Sequence, residues 1–210
     1  MVVSYLMPLW FKIFLKAHIY QGEYRDKLLK LADKHGVRLK NIYVIPSKRS
    51  NACAIGFANN KVVCINSNVI EKHPLSEIEG VLVHELGHNI NKDILIYTFG
   101  IALILIFSAV VTDFFNRFFS NKLLGIFICS IVLSGILYPL VLAFSRWREG
   151  LADLYTKRTG NPLMLVRFFN RMLTFEDNDI KRINSNPTKM QRIFFNHPWL
   201  VKRVKFLEAN

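Results

Sequence analysis

Val83-His84-Glu85-Leu86-Gly87-His88 is the stretch on which the reading of this 210-residue chain turns. His84 and His88 stand four residues apart, so on a helix both imidazoles project from one face, one turn apart. Two nitrogens so placed can share a single Zn²⁺ at about 2.0–2.1 Å. Glu85 turns about 100° from His84. From there its carboxylate reaches a water at the ion's open position and can take a proton as that water attacks a carbonyl. Gly87 leaves room for a close neighbour behind the pair. A helix with two surface histidines gives the same five letters by chance, so the weight of the pattern depends on the rest of the chain.

A catalytic zinc of this kind needs a third protein ligand from another helix, and the residues that follow the motif offer one. Residues 94–111 run for 18 positions without a charge, and residues 123–144 for another 22. A helix needs about 20 such residues to cross a bilayer core of roughly 30 Å. Two antiparallel membrane helices return the chain to the bilayer face it left, which brings Arg146-Trp147-Arg148-Glu149-Gly150-Leu151-Ala152-Asp153 back beside the histidines. Glu149 is then the candidate third ligand. Asp153, one turn on, shares its face and can accept the far N–H of His84 or His88. A solvated face pairing with Arg146 or Arg148 is the plainer account of both carboxylates. A buried helical hairpin in a soluble core is the plainer account of the two apolar runs.

Charge supports the membrane. Lys and Arg total 28 against 15 Asp and Glu, for a formal charge of +13. Thirteen of the basic residues precede residue 94 and thirteen follow residue 144, leaving only Arg117 and Lys122 between. The positive-inside tendency places both flanks in the cytoplasm and the turn at residues 112–122 outside. Nucleic acid is not an expected partner, because no recognition pattern accompanies the charge. Cys53, Cys64 and Cys129 are an odd, sparse set that fits reduced thiols facing the cytosol. No cleavable signal peptide is evident. Residues 1–20 carry Trp10, Phe11 and Phe14 beside Lys12 and Lys16, which suits either a helix in the membrane interface or a terminal helix packed on the domain.

The remaining periodicities give a mainly helical α+β chain. Residues 23–35 place Tyr24, Leu28, Leu31 and Ala32 on one face, with Gly36 as a stop. Residues 41–67 read as a small antiparallel sheet, with Asn59-Asn60 as a tight hairpin. Ser76 and Glu79 have capping-box spacing at the start of the motif helix, and nothing breaks that helix until well past Asp93. Residues 146–158 continue the second apolar run, Gly160 stops it, and Asn161-Pro162 restarts a helix. Residues 176–186 read as a loop, and a last helix starts near Pro198. This division gives an N-terminal segment (1–22), a cytosolic domain (23–93 with 145–210) and an inserted transmembrane hairpin (94–144).

Four segments in order resemble the HtpX-type and CAAX-prenyl-protease-type membrane zinc metalloendopeptidases. They are Asn51-Ala52-Cys53-Ala54, the motif at residues 84–88 with its apolar hairpin, the run at residues 145–153, and His197-Pro198 followed by Arg203. The resemblance covers most of residues 40–207 and implies a zincin-type core. It implies His84, His88 and Glu149 as zinc ligands, Glu85 as general base and Asp153 as a supporting residue. It further implies His197 as a donor to the oxyanion, against a purely capping role. Asn51, Ala52, Cys53 and Ala54 become the edge strand along which an extended peptide adds, against an ordinary core-facing strand. His18, His35 and His73 receive no role. Members of this kind commonly carry a further pair of spans where this chain has its short N-terminal segment, and an aromatic residue where Cys53 stands.

The expected protein is a multi-pass enzyme of the cytoplasmic membrane, with its catalytic domain on the cytoplasmic side. Its partners are the lipid bilayer and membrane or misfolded polypeptides. The rival expectations are a non-catalytic membrane adaptor that retains the metallopeptidase fold, and a basic membrane-surface or nucleic-acid binder.

Overall fold

Residues 13–175, 187–188 and 199–209 are described by the computed structural model. Most of the N-terminal segment and the expected loop at residues 176–186 therefore lie outside the described residues. What is described of the N-terminal segment leads into a short strand, β1 (His18–Ile19), which joins the sheet.

Helix α1 (Arg25–Lys34) lays Leu28 and Ala32 into the core, with Tyr24 and Leu31 packed at its margin. Gly36 ends it at φ +72°, in the left-handed region open to a residue without Cβ. Strands β2 (Asn41–Ile45), β3 (Ala52–Ile55) and β4 (Val62–Asn66) follow. The sheet order is β1-β2-β4-β3.

The sheet is mixed, which corrects the expectation of an antiparallel one. β3 and β4 pair antiparallel and β1 pairs antiparallel with β2, but β2 runs parallel to β4. The cause is the placing of β3 outside β4, which leaves the other side of β4 for β2. The β3–β4 connection is also longer than a two-residue hairpin. Gly56 at φ +92° and Ala58 at φ 52° make the reversal, leading into a 3₁₀ turn at Ala58–Asn60.

After the short α2 (Ser67–Lys72) comes α3 (Leu75–Ile90), the motif helix. Its start is set by Pro74, and no side chain caps it, so Ser76 and Glu79 do not form the expected capping box. Ile78, Leu82 and Leu86, four residues apart, are fully buried against α1, β2 and β4. Residues of that size, lost to alanine, cost about 2–5 kcal/mol each.

The motif helix does not continue into the membrane segment. It ends at Ile90, Lys92 takes φ 55°, and a new helix, α4 (Asp93–Asn116), starts at once. Helix α5 (Lys122–Thr159) then returns as one 38-residue rod with Pro139 inside it. Both helices are long and apolar enough to cross a membrane, and their apolar windows are almost wholly unburied. Phe99 and Leu123, for instance, are 68% and 79% exposed. That surface is expected against lipid and is not expected against water.

Gly160 ends α5, and α6 (Pro162–Phe175) restarts from Asn161, whose side chain accepts from the Leu163 N–H at 3.2 Å. Helix α7 (Leu200–Glu208) closes the core with Leu200 and Leu207. α3 is packed by α5 and α6 at once, and glycines permit this. A Cβ on Gly80 would stand 2.7 Å from the Leu165 nitrogen of α6, and one on Gly87 would stand 3.1 Å from the Ala152 Cα of α5.

Candidate metal centre

The near contact at Gly87 decides the site. It draws α5 against the face of α3 that carries the histidines, and Glu149 and Asp153 lie three positions before and one after Ala152. His84, Glu85, Glu149 and Asp153 are all buried, and His88 is partly so.

The Nε2 of His84 lies 3.5 Å from one Glu149 oxygen, and the Nε2 of His88 lies 3.5 Å from the other. Ligands about 2.0–2.1 Å from a tetrahedral ion stand about 3.4 Å from one another. Each histidine thus stands from Glu149 at the separation of two ligands on one small cation. Glu85 offers a fourth group, with its carboxylate and the two imidazoles all within 4.8 Å. Of the two carboxylates, Glu149 meets both Nε2 atoms, one through each oxygen. Glu85 remains beside the gap, in position to act on what enters it.

Each imidazole is held from behind. His84 Nδ1 stands 3.1 Å from Asp153, and His88 Nδ1 stands 2.6 Å from Asp93. A carboxylate accepts only, so in their neutral form both rings carry hydrogen on Nδ1 and present the Nε2 lone pair forward. Asp153 in turn takes two bonds from Arg203, from Nε at 2.9 Å and Nη2 at 2.8 Å. Arg203 also reaches Glu149 at 3.5 Å. Asp93 is fixed by Arg148, whose Nε donates at 2.8 Å and whose Nη2 donates to the Asn91 carbonyl at 2.7 Å.

The charges fit a cation. Burial and the Arg203 guanidinium both disfavour a charged His84. Hydrogen bonds to Asp153 and Glu149 outweigh them and push its pKa up to about 9, so that without an ion Nε2 holds a proton, which a metal would displace. Burial raises the Asp153 carboxyl, yet Arg203 and His84 together hold it below the usual range. So many carboxylates around one gap draw positive charge into it, and a divalent ion is the charge that this donor set suits.

Of the residues singled out from the sequence, His84, Glu85, His88, Glu149 and Asp153 come together. Asn51, Ala52, Cys53 and Ala54 line the same cavity of about 1150 Å³. β3 is the outer strand of the sheet order and packs along α3. Only Cys53 departs: its side chain belongs to a second apolar cluster with Cys64, Ile55 and Tyr43, apart from the core cluster that Ala52 and Ala54 join. His197 lies outside the described residues. Asp93 and Arg148 hold the site although sequence reasoning gave them no part, and Arg203 entered only as a letter in a late motif.

A motif helix carrying two histidines and a glutamate, crossed by a helix that brings a further carboxylate to them, is the arrangement of a zincin-type metallopeptidase. Residues 19–210 match peptidase family M48, and the chain belongs to that family. It is 34% identical over 158 residues to protease HtpX of Acinetobacter baumannii strain AYE, covering 68% of this chain and 52% of that one. To the protease HtpX homolog of Moorella thermoacetica it is 27% identical over 208 residues, covering 87% and 69%. Among solved structures, that of Ste24p from S. mikatae superposes with a TM-score of 0.79 at 21% identity, over 99% of this chain and 55% of that chain. The chain thus spans about half to two thirds of the length of these proteins. The family read from the motifs is borne out, as are the metallopeptidase class and a mainly helical fold with two membrane-type helices.

Proposed function

We propose that the protein is a zinc-dependent endopeptidase of the cytoplasmic membrane that cuts membrane or misfolded polypeptides at the cytoplasmic face. One observation carries the reading: both histidine Nε2 atoms meet Glu149 at 3.5 Å, with Glu85 beside them in a cavity that β3 also lines. The relatives' printed names, which call them proteases, support it.

His84, His88 and Glu149 would hold the Zn²⁺, and the ion, when bound, supplies Lewis-acid polarisation of the scissile carbonyl. Glu85 takes the proton from the attacking water and returns it to the leaving nitrogen. Asp93 and Asp153 keep the imidazoles in the ligating tautomer. An extended peptide adds to β3. The Asn66 N–H donates to the Asn51 carbonyl at 2.9 Å, so by ladder alternation the backbone groups of Ala52 and Ala54 face away from β4, toward that peptide. His197 is proposed as the donor to the oxyanion.

The hairpin at residues 94–144 spans the bilayer. The segments before and after it form one cytosolic domain, with residues 1–22 as an accessory segment. The distribution of Lys and Arg supports this orientation. Metal analysis and cleavage of an unfolded protein such as casein, run on wild type and Glu85→Gln together, test the reading. The expected result is stoichiometric zinc in both and at least a 100-fold loss of turnover in the variant, the order set by removing a general base. Zinc retained with no cleavage by the wild type would favour the adaptor.

A further inference from the structure

A second polar cluster, apart from the candidate metal centre, ends just before the strand proposed to receive the peptide. Glu77, in the first turn of α3, is buried and takes Arg171 of α6 at 2.9 Å through both oxygens. Its Oε2 also stands 2.8 Å from Nδ1 of His73, itself buried with its ring 4.4 Å from that of Phe168. A carboxylate only accepts, so His73 carries hydrogen on Nδ1 and its Nε2 is an acceptor. Facing that nitrogen is the hydroxyl of Ser50, at 3.5 Å. The same Ser50 oxygen accepts from the Asn68 side-chain amide at 2.9 Å. Donors and acceptors therefore run in one direction, from Asn68 through Ser50 and His73 to Glu77, where Arg171 closes the chain from the other side.

The position of Ser50 gives this relay a use. It is half-buried, lines the cavity that holds His84 and Glu85, and directly precedes Asn51 and β3. Its neighbours on the approach to β3 are stitched down as well: Asn66 donates to the Arg49 carbonyl at 3.0 Å, and Ser67 to that of Ser47 at 3.2 Å. Those bonds tie the loop to β4 and α2. The bond from Ser50 ties it, through His73 and Glu77, to the helix that carries the metal ligands. Both ends of a docked peptide's frame, the strand and the helix, are thereby set relative to each other.

We propose that Ser50 and His73 are positioning residues for the peptide: the Ser50–His73–Glu77–Arg171 relay fixes where β3 begins against α3 and so aims the outward backbone groups of Ala52 and Ala54. The inference rests on the endopeptidase reading for its peptide. A relay of this kind contributes to docking more than to turnover, because it touches neither the metal nor Glu85.

The test uses the full chain in bilayer discs. Binding of a fluorescent, extended peptide is measured on Glu85→Gln with and without Ser50→Ala, and KM and kcat are measured with Ser50→Ala and Ser50→Thr alone. Loss of the Ser50 hydroxyl, with its bonds to His73 and Asn68, should weaken peptide binding and raise KM by about 3–10-fold. Meanwhile kcat stays within about twofold, zinc content holds, and any fall in melting midpoint leaves the protein folded at the assay temperature. Threonine, which keeps the hydroxyl, should restore the wild-type KM. Unchanged binding in Ser50→Ala, an effect that comes with lost zinc or with unfolding at the assay temperature, or no rescue by threonine overturns the inference, as does a Glu85→Gln protein that binds no peptide. Binding that depends on Ser50 in a wild type that cuts nothing would instead overturn the endopeptidase reading and leave the inference standing.

Discussion

Asp93 and Asp153 do the same work on the two histidines from opposite sides, yet only Asp153 is legible in the sequence. On an unbroken helix a residue five places after His88 is turned about 140° from it, facing away. Asp93 reaches His88 because the chain leaves the helix at Asn91 and Lys92, where no proline or glycine marks the break. The break is stabilised from a distance, by Arg148 on α5 donating to the Asn91 carbonyl and pairing with Asp93. Asp93→Asn should lower zinc affinity about 10–100-fold, as loss of a tautomer-fixing partner does; competition with a chelator measures it. His73 makes a second prediction at this scale. Burial lowers its pKa and the bond to Glu77 opposes this, with Arg171 and Lys72 also lowering it. The folded chain thus binds that proton less readily than the unfolded one. The stability contributed by neutral His73 is full above about pH 6.5 and is lost as the pH falls through the lowered value. The margin in melting temperature of wild type over His73→Gln should narrow below about pH 6.5.

The elements that came directly from periodicity are those whose partners are near in sequence. Tyr24, Leu28, Leu31 and Ala32 mark α1 because they share one face, and Asn161-Pro162 marks the start of α6 because its cap is local. The parallel pairing of β2 with β4 was not legible, since nothing within either strand states that β3 will pass to the outside. The glycines of α3 were half legible: Gly87 reads as space, but which helix fills that space depends on the return of α5. Gly80→Ala should destabilise the fold by about 1–3 kcal/mol. The added Cβ meets the backbone of α6 at 2.7 Å, and that outweighs a helix-propensity gain of about 1 kcal/mol. Gly87→Ala meets Ala152 at 3.1 Å and calls for a smaller shift, but one made by the helix that bears Glu149. Zinc affinity should fall in that variant before the melting temperature does.

In the molecule as a whole, the candidate site and the two apolar helices are one construction, because Glu149, the proposed third ligand, sits on the continuation of the second helix. The proposed topology has a direct check by cysteine labelling, in a background without the native cysteines. Ser120→Cys, in the turn between the two apolar helices, should react with an impermeant maleimide added outside intact cells. Lys48→Cys, on the loop before β3, should react only after lysis. Reaction at both positions in intact cells would contradict it.

Helix α5 is also a lever. Lys122 lies 27 residues before Glu149, which at 1.5 Å per residue is about 40 Å of rod. A tilt of about 5° at the far end would swing an unsupported carboxylate by about 3.5 Å, the width of the gap it must span. The contact of Gly87 with Ala152 works as a fulcrum against that swing. Pro139, ten residues short of Glu149, removes one rung of the helix ladder on the lipid side of that fulcrum. The rod is thus braced by packing beside Glu149 and has its missing rung within the apolar span.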